Sequence, residues 1–114
     1  MGALTTHVLD TAHGRPGNGI RVELQRVEGG AGTLLASALT NRDGRTDRPL
    51  IEGEAFRAGT YQLVFYIGEY FRGQGVSGEF LDVVPIRFGV DDAARHYHVP
   101  LLCSPWSYTT YRGS

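Results

Sequence analysis

Lysine is missing from this chain: its eleven lysine-plus-arginine positions are all arginine. Set against twelve acidic residues, they leave a formal net charge of -1. That excludes a dedicated binder of nucleic acid or anionic membrane, whose footprint is a basic surplus. Cysteine occurs once, at Cys103, so no internal disulfide can form and no Cys-x-x-Cys zinc spacing exists. No apolar run approaches the ~18–20 residues of a membrane helix. The opening residues, Met1 to His7, lack the basic-then-apolar pattern of a secretory signal, so the expected compartment is the cytoplasm. At 114 residues the chain is too short for a TIM barrel or a two-domain dinucleotide-binding enzyme, and one domain over 1–114 is expected.

Sixteen glycines and five prolines punctuate short runs of β-branched and aromatic residues, the pattern of an all-β sandwich. Residues 4–9 read as a first strand, leaving through a turn-rich stretch to Gly19. In 20–27, Ile20, Val22, Leu24 and Arg26 alternate with Arg21, Glu23 and Gln25, which predicts a half-buried strand. Strands follow at 33–40, 60–66, 81–90, 97–103 and 107–112. Pro85 restricts its strand to an edge or a bulge. Residues 67–72 are the one helical stretch, because glycines interrupt every longer window. Gly17-x-Gly19 and Gly73-x-Gly75 open no helix and read as turns, not phosphate cradles. Tyr97, Trp106, Tyr108 and Tyr111 exceed what one small core needs and point to an interface between copies.

Few residues can carry chemistry. His7 lies inside the first strand, where a lone histidine is ordinarily structural. His96 and His98 are two apart, so on a strand they share a face with Tyr97 opposite. Zinc would need a third ligand, such as His7 or Asp43, and no spacing demands one. Arg45 follows an Asp43-Gly44 turn and suits an electrophile aimed at developing negative charge. Ser114 follows a strand closely enough for its hydroxyl to be held in place. Cys103 sits in the apolar run from Val99 to Leu102 and reads as core. No Gly-x-Ser-x-Gly elbow marks a serine hydrolase.

At these residues the chain resembles the 5-hydroxyisourate hydrolases, the enzymatic branch of the transthyretin-like family. The resemblance is carried by Leu4-Thr5-Thr6-His7-Val8-Leu9-Asp10-Thr11 with Gly14-x-Pro16, and by Thr40-Asn41-x-Asp43-Gly44-Arg45. It is carried also by His96-Tyr97-His98-Val99-Pro100-Leu101-Leu102 with Ser104-Pro105, and by Tyr108-Thr109-Thr110-Tyr111-Arg112-Gly113-Ser114. The closing Tyr-Arg-Gly-Ser is similar to the mark that separates these hydrolases from the hormone carrier transthyretin. Gly17 and Cys103 depart from the usual alanine and leucine.

The resemblance implies a prealbumin-like sandwich of two four-stranded sheets with one short helix. It implies a homotetramer, a dimer of dimers, whose sites lie in a channel between dimers. The reaction implied is hydrolysis of 5-hydroxyisourate to 2-oxo-4-hydroxy-4-carboxy-5-ureidoimidazoline, on the way from urate to (S)-allantoin. The substrate is a small purine-derived molecule, and no cofactor or metal is implied. His7, Arg45 and His98 carry over as catalytic residues; Tyr111, Arg112 and Ser114 carry over as substrate-binding. A neutral imidazole from His7 or His98 can take a proton from water while Arg45 holds the oxyanion, and the sequence leaves the choice of base open. Three other readings stand beside this one: a transthyretin-like carrier, a zinc hydrolase using His7, His96 and His98, and a structural sandwich.

Overall fold

The computed structural model describes residues 1–76 and 80–114. Its strands are β1 (Ala3–Asp10), β2 (Arg15–Pro16), β3 (Arg21–Glu28), β4 (Ala31–Leu39), β5 (Ile51–Glu52), β6 (Gly59–Phe65), β7 (Val84–Val90), β8 (His96–Cys103) and β9 (Tyr108–Thr110). A short helix, α1 (Ile67–Gly73), follows β6. Among the described residues the strands form two sheets. One runs β4-β3-β6-β7; the other runs β2-β1-β8-β9, with β5 also paired to β1. The all-β sandwich with one helix is therefore present. The second sheet holds five strands rather than four, because the two-residue strands β2 and β5 both pair with β1.

Alternation drives the layering. In β1, Leu4, Thr6, Val8 and Asp10 are buried while Thr5 and His7 face the other way. Leu4, Val8, Tyr97, Val99 and Leu101 pack against Ile20, Val22, Leu24, Tyr61, Leu63 and Phe65 across the two layers. Buried side chains of this kind stabilise by about 1.5–3 kcal/mol each. Arg26 keeps to the inward set because its guanidinium lies over the Tyr61 ring, 5.2 Å from the centroid, and donates to the Tyr61 hydroxyl at 2.9 Å. Pro85 lies in β7, an edge strand, where a missing N–H is tolerated.

Two features of the second sheet position the site. β1 and β8 pair in parallel, Thr5 opposite His98 and Ala3 opposite His96. β9 pairs antiparallel to β8, and the same register carries on to an isolated bridge between His98 and Gly113. Between them stands Pro100, two residues from the hydrogen-bonded His98, where an antiparallel ladder would call for the next N–H. Pro100 has none to give, so the strand lapses at Tyr111 and Arg112 and resumes at Gly113. At the far end of β1, Asp10 is 1% exposed and accepts hydrogen bonds from the Tyr70 hydroxyl of α1 at 2.7 Å, the His13 backbone N–H at 3.0 Å and His13 Nδ1 at 2.7 Å.

Candidate active site

The outward face of the β1–β8 pair carries Thr5, His7, His96 and His98, because both strands turn their other side chains into the core. Thr5 Oγ1 lies 2.8 Å from His98 Nδ1 and 3.1 Å from His96 Nε2. The single hydroxyl therefore links the two imidazoles. His98 Nε2 has no hydrogen-bond partner among the described residues, and none of their buried side-chain nitrogens is left unpaired, so this atom opens to solvent.

Arg45 reaches the same face through a turn built for it. Asn41 Oδ1 accepts from the backbone N–H groups of Asp43 at 2.9 Å and Arg45 at 3.2 Å. Gly44 has φ +75°, and any Cβ there would run into the Val8 carbonyl. The Val8 N–H donates to the Gly44 carbonyl at 2.8 Å. This contact fixes the turn on β1 and sets Arg45 in a β-bridge with His7. No carboxylate pairs with Arg45 among the described residues, so its charge is directed at whatever fills the space before it.

That space is an open cavity of about 430 Å³. Thr5, Arg45, Asp47, Arg48, His96, His98 and Ser114 contribute to its lining. Burial pushes the pKa of His98 below the ordinary 6.5, and the positive charge of Arg45 and the neighbouring His7 and His96 push the same way. His7 is also lowered, by burial first and then by Arg45, against an opposing pull from the backbone and carboxylate of Asp43. Both imidazoles are therefore neutral at neutral pH, beside a guanidinium that is always charged. The arrangement can take a proton from water, and it can hold negative charge.

The structure brings His7, Arg45 and His98 together; His7 stands within electrostatic reach of His98 but outside the cavity's lining. Ser114 lines the cavity. Arg112 shares an adjoining hollow with Arg95, His96 and Ser114, and its guanidinium lies 4.2 Å from the centroid of the Tyr97 ring. Tyr111 does not reach the cavity. It lines a separate apolar pocket of about 270 Å³ with Ile86, Phe88 and Val99. Sequence reasoning passed over Thr5, although its two-residue spacing from His7 put both on one face. Among the described residues, no three His, Cys, Asp or Glu side chains converge on one point as metal ligands would.

Residues 4–113 match the model of the HIUase/Transthyretin family. This chain belongs to that family. It is 61% identical, over all of its length and 93% of the relative's, to the 5-hydroxyisourate hydrolase of Pseudomonas aeruginosa. The crystal structure of an (S)-allantoin synthase superposes with a TM-score of 0.93 at 45% identity, covering 99% of this chain and 44% of that longer one. Sea bream transthyretin, solved in complex with thyroxine, superposes with a TM-score of 0.89 at 30% identity, covering 97% of this chain and 94% of that one. At such identity to curated hydrolases over its full length, this family member is itself a hydrolase.

Proposed function

We propose that the cavity hydrolyses 5-hydroxyisourate to 2-oxo-4-hydroxy-4-carboxy-5-ureidoimidazoline. The observation that carries this reading is the convergence of the neutral His98 imidazole and the unpaired Arg45 guanidinium on a polar cavity, with the neutral His7 bridged to Arg45 beside it. The 61% identical relative named for this reaction supports it. A volume of about 430 Å³ falls in the usual range for small-molecule sites.

Water attacks the acyl carbon of the ring, and His98 Nε2 takes the proton that the water gives up. The carbonyl oxygen becomes an oxyanion, which Arg45 holds with its planar donors; one such donor is worth about 3 kcal/mol in the transition state. The C–N bond then breaks as the proton left on the added oxygen passes to the departing nitrogen, with the neutral imidazole of His7 to hand it across. The carboxyl group formed bears the oxygen of the water. Ser114 contacts the substrate, while Tyr111 and Arg112 seat the tail that presents it. The outward sheet face faces a second dimer in a homotetramer, so that each site is closed by a neighbouring subunit.

A carrier function of the transthyretin kind would be served by an apolar lining, whereas Arg45, Asp47, Arg48, His96 and His98 line this cavity. The direct test generates 5-hydroxyisourate in the cuvette with urate oxidase and follows its absorbance with and without this protein. Decay faster than the spontaneous reaction, undiminished by a chelator, is expected. Decay at the spontaneous rate would refute the proposal, and loss of the acceleration in chelator would favour a metal-dependent mechanism.

A further inference from the structure

We infer that Thr5 and His96 form a proton relay behind His98, which sets that imidazole as a base and conducts its proton to solvent. The inference deepens the hydrolase reading and rests on it. It is carried by one juxtaposition: a single hydroxyl spans two imidazoles, 2.8 Å from one and 3.1 Å from the other.

A hydroxyl has one proton to donate. Held between two ring nitrogens, it hands a proton from one to the other only when it donates to one and accepts from the other, which it can do in two arrangements. In the first, His98 Nδ1–H donates to Thr5 Oγ1, and the Thr5 hydroxyl donates to a bare His96 Nε2. His98 then carries no proton on Nε2, the atom that opens to solvent, and can accept one from water. In the second, His96 Nε2–H donates to Thr5, and Thr5 donates to His98 Nδ1. His98 must then carry its proton on Nε2, where it is a donor and no base. In both arrangements the tautomer of His96 is tied to that of His98, although His96 never touches the reacting atoms.

The first arrangement also supplies an exit. When His98 Nε2 takes a proton from water, its Nδ1 proton passes to Thr5 Oγ1. The Thr5 proton passes to His96 Nε2, and the exposed His96 gives up its Nδ1 proton to solvent buffer. One proton enters the chain and one leaves, with no charge left buried. Arg45 and His7 flank His98; Asp47 and Arg48 stand across the cavity; Arg95 and Arg112 surround His96. Thr5 and His96 are positioning residues, acting through His98.

The test uses protein labelled with ¹⁵N in its histidine rings, the shape-conserving variant Thr5→Val, the hydroxyl-retaining variant Thr5→Ser, and His96→Ala. In the wild type at neutral pH, His98 is expected with Nδ1 protonated and Nε2 bare. Thr5→Val is expected to mix the two tautomers and to lower kcat by about tenfold or more with KM within about twofold. Thr5→Ser is expected to restore both the spectrum and the rate. His96→Ala is expected to leave the fold intact and to mix the tautomers as Thr5→Val does. A wild-type His98 protonated on Nε2, or a Thr5→Val protein with the wild-type spectrum and kcat, would overturn the relay. Should the wild type not speed the decay of 5-hydroxyisourate at all, the hydrolase reading fails, and the ring spectra alone still decide whether Thr5 sets the tautomer.

Discussion

Replacing Gly113 with alanine puts one methyl group against the base. A Cβ at Gly113 would stand 2.7 Å from His98 Cδ2 and 3.3 Å from His98 Cβ and Cγ. Unstrained carbon contacts begin near ~3.5 Å, so ring and tail have to part by ~0.8 Å. Two hydrogen bonds oppose that parting: the Gly113 N–H to the His98 carbonyl at 2.7 Å, and the Thr5–His98 contact at 2.8 Å. Whichever yields, His98 or the Ser114 lining leaves its place. Misplacement of this size costs up to about 100-fold in rate. The loss in stability is bounded by one backbone hydrogen bond, about 1 kcal/mol, which moves Tm by about 4 °C in a domain this small. Stopped-flow decay of 5-hydroxyisourate reads the first quantity, and thermal melting reads the second. Gly89→Ala is the control, since a Cβ at Gly89 meets no heavy atom within 4 Å. Gly113→Ala with a rate within about twofold of the wild type and of Gly89→Ala would refute the claim that the tail holds the base in register.

Arg45→Lys keeps a charge but loses the planar fork, and a fall in kcat of about 100-fold or more with an unchanged Tm is expected, because the residue is exposed. His98→Asn is expected to cost more than about tenfold; a smaller loss would argue against a general base at this position. His7 and His98 both have pKa values below the ordinary 6.5. The unfolded chain therefore takes up protons first, so stability is complete above pH 6.5 and declines as pH falls towards the folded values; kcat/KM falls on the acid side of 6.5 as the imidazoles protonate, which a pH series of melts and rates will show. Tyr70→Phe takes one donor from the buried Asp10 carboxylate, and a loss of about 1–3 kcal/mol by denaturant titration is expected. Burial pushes the Cys103 thiol up to about 12, so alkylation is expected only on unfolding, as mass spectrometry would record.

The legibility of this protein follows the range of the interactions. Alternation is local, so the long strands and α1 came within a few residues of their observed bounds, and Arg26 was rightly grouped with the inward residues. The edge position of Pro85 also follows from a local rule, since proline lacks a donor. β2 and β5 are two residues long and carry no periodicity. The decisive feature of the site is non-local: β1 and β8 lie at opposite ends of the chain and meet in parallel, and their register sets Thr5 between two histidines. Sequence spacing paired His96 with His98 but could not supply the hydroxyl between them. Asp10 was hidden for the same reason, because its partner Tyr70 lies on the helix. Tyr111 adjoins Arg112 and Ser114, but the pairing with β8 lapses at Tyr111 and Arg112, and Tyr111 lines the apolar pocket with Phe88 and Val99 instead of the cavity.

The most direct measurement is a crystal structure of the protein with a stable planar purine analogue bound. The expected result is the analogue in the cavity, with a carbonyl edge on Arg45, His98 Nε2 on the face from which water attacks, and Ser114 in contact. An analogue that instead occupies the apolar pocket beside Tyr111 and Phe88, with Arg45 and His98 free, would contradict the assignment of the hydrolytic site.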